Sequence, residues 1–292
     1  MDNKVIKRKR LRFFIEIVVA VIAAAIFGIV IKNNYPPESV LTAVFIDVGQ
    51  GDSAFVTSGG YNILIDGGPD SNAESVATVL DRYRVKKLDL VIASHEDSDH
   101  IGGLSGIVES YDVKKIMLPA SDRKRLNGSL TYKRLKTAIK GRGAQTVFSK
   151  AGDALALGDI RIDILSPSEY SEESNDNSLV AKISRDGASL LFTGDISAQV
   201  ENKLISSGAD IKCDVLKLSH HGSKTANTEE FLKKTNAEYA VLSLSGYNRY
   251  NLPGIDVVRR LESLGIKTLR TDENGTITLR YDGSGFVPEV EK

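Results

Sequence analysis

The sequence contains no tryptophan, one cysteine and four histidines among its 292 residues. A lone Cys213 excludes an intrachain disulfide and any cysteine cluster for metal. It lies too far along the chain for lipoprotein acylation, and its place in "IKCDVLKL" reads as a buried strand thiol. Lys and Arg together number 38, as do Asp and Glu, so no global basic field argues for nucleic acid. Low-complexity tracts and repeats of fixed period are also missing. What is present is 41% apolar and 26% charged, an ordinary globular composition with chain enough for a sizeable core.

The charge is unevenly placed. Residues 1–12 hold six basic residues (Lys4, Lys7, Arg8, Lys9, Arg10, Arg12) against Asp2, which leaves residues 33–292 net acidic. After this head, residues 13–31 read "FFIEIVVAVIAAAIFGIVI", nineteen residues with Glu16 as the one charge. A helix of that length reaches about 28 Å, close to one hydrocarbon core. A cleaved signal peptide is the nearest alternative, but the apolar run is long for one and no small-x-small site follows it. The expectation is therefore a single-pass transmembrane anchor over 13–31, a linker over 32–40, a cytoplasmic head and an extracellular C-terminal domain. The alternative localisation is secretion after cleavage.

Beyond residue 40, short β-branched runs such as "TAVFIDVG", "YNILIDGG" and "LDLVIASH" read as strands. "NAESVATVLDRYRV" has helical spacing at Val76, Val79, Leu80 and Tyr83. Later strands alternate with the helices "AQVENKLISSG", "TEEFLKKT" and "DVVRRLESLG". The pattern predicts one α/β domain of two packed sheets with helices outside, over 41–282, followed by a tail over 283–292.

All four histidines fall in two tight clusters, "HEDSDH" (His95, His100) and "SHHGS" (His220, His221). Each cluster directly follows an apolar strand, where loops of α/β folds collect functional groups. Two more strands end the same way, "YNILIDGG" in Asp66 and "SLLFTGD" in Asp195. His95, Asp97, Asp99, His100, Asp195 and one of His220 or His221 make a mixed nitrogen and oxygen set, sufficient for two divalent ions sharing a carboxylate. Imidazole with carboxylate suits Zn²⁺ or Mn²⁺, whereas calcium takes nearly all oxygen.

"HEDSDH" with "LIDGG", "LFTGD" and "SHHGS" resembles the metallo-β-lactamase superfamily. Within it, "FIDVGQGDSAFV", "NDNSLVAKI", "LKLSHHGSK" and "RTDENGTITL" are similar to the extracellular domain of ComEC-type competence proteins, over about residues 41–282. The resemblance implies an αββα sandwich with the metals at one sheet edge. It also implies that His95 and Asp97 hold one ion, Asp99 and His100 the other, with Asp195 bridging and His221 completing the second. Asp99, His220 and Asn177 are then the expected catalytic side chains, His220 touching substrate phosphate. Asp66 would orient ligand groups, and Asp47, Gln50 and Asp52 would brace the metal loops, with plain turn formation as the alternative for Asp47 and Asp52.

The chain departs from the wider family in three places. Asp97 replaces the common second histidine, and "NDNSL" stands where a third-motif histidine is usual, making Asn177 a candidate oxygen ligand or phosphate contact. Both changes favour Mn²⁺ over Zn²⁺. Asn251-Leu252-Pro253 replaces a Gly-His-Pro, so a histidine that handles the leaving group would be missing.

The segment "SDRKRLNGSLTYKRLKTAIKGRG" supplies Arg123, Lys124, Arg125, Lys133, Arg134, Lys136, Lys140 and Arg142 against Asp122. It reads as a track for a polyanion, with Tyr132 available to stack a base, or as a solvated helix face with Leu130, Leu135 and Ile139 buried. The expected activity is a two-metal hydrolase, a phosphodiesterase or nuclease acting on DNA and linked to competence and DNA uptake. One alternative is a cell-wall phosphodiesterase acting on phosphorylcholine or teichoic-acid esters. The other is a non-catalytic metal-binding subunit that presents DNA, since one anchor forms no pore and uptake would need a separate transport channel.

Overall fold

The structure, a computed structural model, describes residues 13–25, 41–120 and 129–292. The chain divides into two compact units, Met1–Glu38 and Ser39–Lys292. In the first, residues 13–25 form helix α1. The rest of the expected anchor, its basic head and the linker lie outside the described residues, as do Arg123, Lys124 and Arg125. Among the described residues no helix is long and apolar enough to cross a membrane.

The second unit begins with β1 (Thr42–Phe45), β2 (Ala54–Ser58), β3 (Tyr61–Ile65) and α2 (Ala73–Arg82). Next come β4 (Lys87–Leu88), β5 (Leu90–Ile92), the one-turn α3 (Ser98–Ile101) and α4 (Leu104–Ser110). β6 (Asp112–Val113), β7 (Lys115–Pro119), α5 (Leu130–Arg142) and β8 (Gln145–Ser149) complete its first half. The second half runs β9 (Ala154–Leu157), β10 (Ile160–Ser166), β11 (Val180–Arg185), β12 (Ala188–Phe192) and α6 (Ala198–Ser206). β13 (Val215–Lys217), α7 (Glu229–Thr235), β14 (Tyr239–Leu242), α8 (Ile255–Ser263) and β15 (Lys267–Arg270) follow. It closes with α9 (Thr271–Asn274), β16 (Ile277–Tyr281) and β17 (Phe286–Val290).

Eight strands form one sheet in the order β17-β16-β1-β2-β3-β5-β7-β8, and seven form another, β15-β14-β13-β12-β11-β10-β9. β4 and β6 pair separately. Each large sheet is antiparallel where hairpins connect it and parallel where helices cross over, as short and long connections require.

Alternation along the strands builds the layers. β1 sends Ala43 and Phe45 into the core between the sheets and Val44 to the opposite face, against α2, α4 and α5. β12 sends Leu190 and Phe192 inward and Leu191 outward, to the cluster holding Leu204, Phe231 and Leu261 of α6, α7 and α8. The result is helix, sheet, sheet, helix. The last ten residues, expected as a tail, instead contribute β17, which extends the first sheet by pairing antiparallel with β16.

Parallel pairing has a consequence for function. β3 and β5 run together, as do β12, β13 and β14, so the loops leaving their C-terminal ends gather at the sheet edges. Those loops begin with Asp66, His95, Asp195 and the His220-His221 pair.

Candidate metal centre

His95 and His100 are almost wholly buried, at 1% and 0% exposure, and His221 at 2%. Neutral imidazole has one N–H and one lone pair, and the partner of one nitrogen decides where the other points. Asp66 Oδ2 lies 2.8 Å from His100 Nδ1, and the Ser94 hydroxyl lies 3.0 Å from His95 Nδ1. His221 Nδ1 donates to the Ser243 carbonyl at 2.8 Å. All three Nε2 atoms are therefore left for a ligand, and all three are buried without a hydrogen-bond partner, as is Asp195 Oδ1. Orphaned buried polar atoms are costly singly, and four facing one another fit a cation-binding cluster.

The distances fit that reading. Asp195 Oδ1 lies 3.3 Å from His100 Nε2, while its Oδ2 lies 3.7 Å from His221 Nε2, so one carboxylate faces two groups. His95, His100 and Asp195 offer donor atoms within 4.8 Å of one another, and so do Asp99, His100 and His221. Asp97 stands outside both sets, its Oδ2 at 3.7 Å from His95 Nε2. Of the two adjacent histidines it is thus His221 that joins the cluster, while His220 Nε2 sits 3.8 Å from Asp195 Oδ2. The centre opens on one side, where the side chains of Asp97, Asp99 and His220 are 43%, 37% and 35% exposed.

Local backbone geometry makes this convergence possible. His220 and His221 both adopt left-handed φ, 49° and 53°, conformations that cost non-glycine residues roughly 1–2 kcal/mol each. The turn is held by His220 N donating to Gly194 O at 3.1 Å and by the Asn227 amide, which binds Ser219 and Ser223 backbone groups. On the other sheet, Asp52 N donates to Asp99 O at 3.1 Å, and a Cβ on Gly51 would come 2.3 Å from that same oxygen. The "GQGD" loop therefore packs directly beneath the metal loop, and only glycine permits the approach.

Electrostatics reinforces the picture. Burial opposes ionisation of Asp195 and Asp52, yet the surrounding imidazoles, and for Asp52 also Lys217, hold both carboxyls well below the usual range. Burial likewise opposes the His221 imidazolium, but Asp195 and Asp52 outweigh it and push the group up to about 10. His100 is raised in the same way by Asp195 and Asp66. The cluster as a whole thus attracts positive charge.

Several expected residues fall elsewhere. Asn177 is buried but its amide is spent within its own loop, accepting from Ser171 N at 2.9 Å and donating to Ser171 O and Glu173 O. None of these bonds goes to the histidine and carboxylate cluster; from the same loop the Ser174 hydroxyl donates to Asp97 Oδ1 at 3.2 Å. Asp47 caps its own turn through Gly49 N and accepts from Lys292 Nζ, while Gln50 accepts from Ser245 N at 3.4 Å. Of that loop only Asp52 reaches the centre, 3.2 Å from His221 Nδ1. Tyr132 is packed in the core under α5 and offers no ring for a base, whereas Lys133, Arg134, Lys136, Lys140 and Arg142 are exposed. Leu135 and Ile139 are buried with it, but Leu130 is 74% exposed.

Lys217, overlooked in the sequence, is 3% exposed and donates to Asp52 Oδ2 at 2.7 Å. Its signal was a charge inside an otherwise apolar strand.

The donor set, mixed imidazole and carboxylate, suits a divalent transition metal. A model of the metallo-beta-lactamase superfamily matches residues 46–246. ComE operon protein 3 of Bacillus subtilis is 34% identical over 255 residues, covering 81% of this chain and 32% of that protein. Competence protein ComA of Neisseria gonorrhoeae is 31% identical over 245 residues, covering 82% and 32%. The chain thus spans about a third of the length of these curated relatives. Among solved structures, the metallo-beta-lactamase fold protein YhfI from Bacillus subtilis superposes with a TM-score of 0.57 at 15% identity, over 82% of this chain and 99% of that one. At that identity the likeness speaks to fold alone.

Proposed function

The chain belongs to the metallo-beta-lactamase superfamily, and from that premise we propose that it is a metal-dependent phosphodiesterase that cleaves nucleic acid, acting outside the cell from an N-terminal anchor. The observation that carries the reading is the convergence of three unpartnered Nε2 atoms and the Asp195 carboxylate at an open sheet edge. Bound there, a pair of divalent ions, Mn²⁺ or Zn²⁺, would lower the pKa of water towards neutrality and draw charge from a phosphoryl oxygen.

The chain's own residues do the rest. Asp66 and the Ser243 carbonyl hold the Nδ1 protons of His100 and His221, keeping both lone pairs aimed inward. Lys217 neutralises Asp52, which in turn steadies His221. His220, on the open side, would touch a phosphate oxygen. Leu252 lies on the loop whose next residue, Pro253, packs against Gly222, so the rim at this point is apolar where the relatives' pattern implies an imidazole.

A polyanionic substrate is favoured by the basic residues exposed on α5: the helix packs on α3 of the metal loop and on α4, and its Arg134 reaches Asp70 at 3.4 Å. DNA as substrate and a separate transport channel as partner belong to this proposal, in keeping with relatives named as competence proteins. α1, with exposed Phe13, Phe14, Val19 and Val21, supports the anchor.

The test strips the full-length chain of metal and assays labelled single- and double-stranded DNA with added Mn²⁺, Mg²⁺ or Zn²⁺, beside Asp195→Ala. Metal-dependent cleavage that Asp195→Ala abolishes is expected, together with a metal-induced rise in melting temperature. Turnover of a small phosphodiester without DNA cleavage would instead assign a head-group esterase. Metal binding with neither activity would leave a DNA-presenting subunit.

A further inference from the structure

The loop between β14 and α8 is tied to the metal centre at both ends. At its start, Ser243 O takes the His221 Nδ1 proton at 2.8 Å. At its end, Gly254 N donates to Gly222 O at 2.9 Å. Between these anchors the Asn248 side chain fixes the loop's shape, donating to Ser245 O and Leu252 O and accepting from Leu252 N, each at 2.9 Å. The Ser245 hydroxyl adds a bond to Tyr247 O at 3.2 Å.

This ordered backbone presents its largest side chains to solvent. Tyr247 is 97% exposed and Tyr250 57% exposed. Arg249, also exposed, sets its guanidinium 5.2 Å from the centre of the Tyr250 ring and donates to its hydroxyl at 3.1 Å. Aromatic rings normally bury most of their area, and a fixed loop that holds two of them outward suits a ligand with flat faces of its own. Arginine beside them favours a ligand that also carries negative charge. An unpaired nucleobase on a phosphodiester strand meets both demands, whereas paired bases keep their faces stacked within the duplex.

We propose that Tyr247, Arg249 and Tyr250 form a stacking platform that grips unpaired bases of a strand whose phosphates reach the metal centre. The platform rests on the nucleic-acid reading of that centre. It assigns the specificity of the site to single strands or frayed ends.

Fluorescence anisotropy on the metal-stripped full-length chain tests it, with a labelled thymidine 20-mer and an abasic 20-mer of equal charge. Stacking predicts that the thymidine strand binds about tenfold or more tightly than the abasic one, and that Tyr247→Ala/Tyr250→Ala removes this preference. Tyr247→Phe/Tyr250→Phe should keep it, because the ring faces remain. Equal affinity for both strands, or an alanine variant that retains the preference, overturns the platform while leaving phosphate binding intact. A wild type that binds neither strand overturns the nucleic-acid reading itself. Base-dependent binding without metal-dependent cleavage would uphold the platform and reject the hydrolase.

Discussion

His100 Nδ1 and Asp66 Oδ2 lie 2.8 Å apart, both wholly buried, and the Ser94 hydroxyl donates to the same Asp66 oxygen at 2.7 Å. The carboxylate therefore fixes the ring's orientation and tautomer without itself facing the centre. Asp66→Asn keeps the shape but offers a weaker, uncharged acceptor. Metal affinity should fall roughly 10–100-fold, measured by chelator competition, with a cooperative melt retained. Unchanged affinity would show that Asp66 serves the fold alone.

The Lys217–Asp52 pair joins the two sheets: Lys217 ends β13, and Asp52 precedes β2. Removing the cation strands a carboxylate that is 5% exposed. Lys217→Met should therefore cost about 3–5 kcal/mol in urea unfolding, and adding Asp52→Asn should recover a large part of it. A single-variant loss below about 1 kcal/mol would mean that water reaches the pair and screens it.

That pair also marks how far the sequence could be read. Clustered histidines after apolar strands were legible, because parallel strands must deliver their ends to one edge. Alternation also placed Lys217 on the same side as Val215, facing between the sheets, while Leu216 and Leu218 point to the helices. What alternation could not supply was the partner, 165 residues away on the other sheet. The loop bonds of Asn177 were not legible, because residue type does not tell which way a buried amide turns. Of the two readings open for Tyr132, its spacing to Leu135 and Ile139 favours the buried face of α5, where it lies. The left-handed turn at His220 and His221 had no sequence signal, since neither residue is glycine.

Glu201 acts on that turn from behind. Its carboxylate accepts from Asn227 N and from Thr228 N, at 2.5 and 2.9 Å, and Asn227 clamps Ser219 and Ser223. Burial raises the Glu201 pKa, and the two amide bonds only partly oppose it. Between the ordinary glutamate value of about 4.3 and the raised one, the folded state holds a proton that the unfolded state has lost. Unfolding free energy from this group therefore falls as pH rises through that window and is greatest on its acidic side. Glu201→Gln should remove this slope while costing roughly 1–3 kcal/mol, because its amide nitrogen must face one of the two N–H donors. Urea midpoints from pH 4 to 7 for both proteins measure it, and parallel curves would refute the assignment.

The exposed charges of α5 separate a polyanion track from a solvated helix face. Tyr132, Leu135, Ala138 and Ile139 hold the helix on the core, so Lys133, Lys136 and Lys140 can be changed without disturbing packing. Each lysine that neutralises a phosphate releases counterion, contributing about −0.7 to the slope of log K against log salt for a single strand. Replacing all three by glutamine should reduce the magnitude of that slope by about two, with turnover of a small phosphodiester unchanged. Anisotropy titrations from about 50 to 200 mM salt give the slopes directly. Equal slopes would return these charges to the role of keeping the surface hydrated, and the strand would then have to be held by the metal centre and its rim.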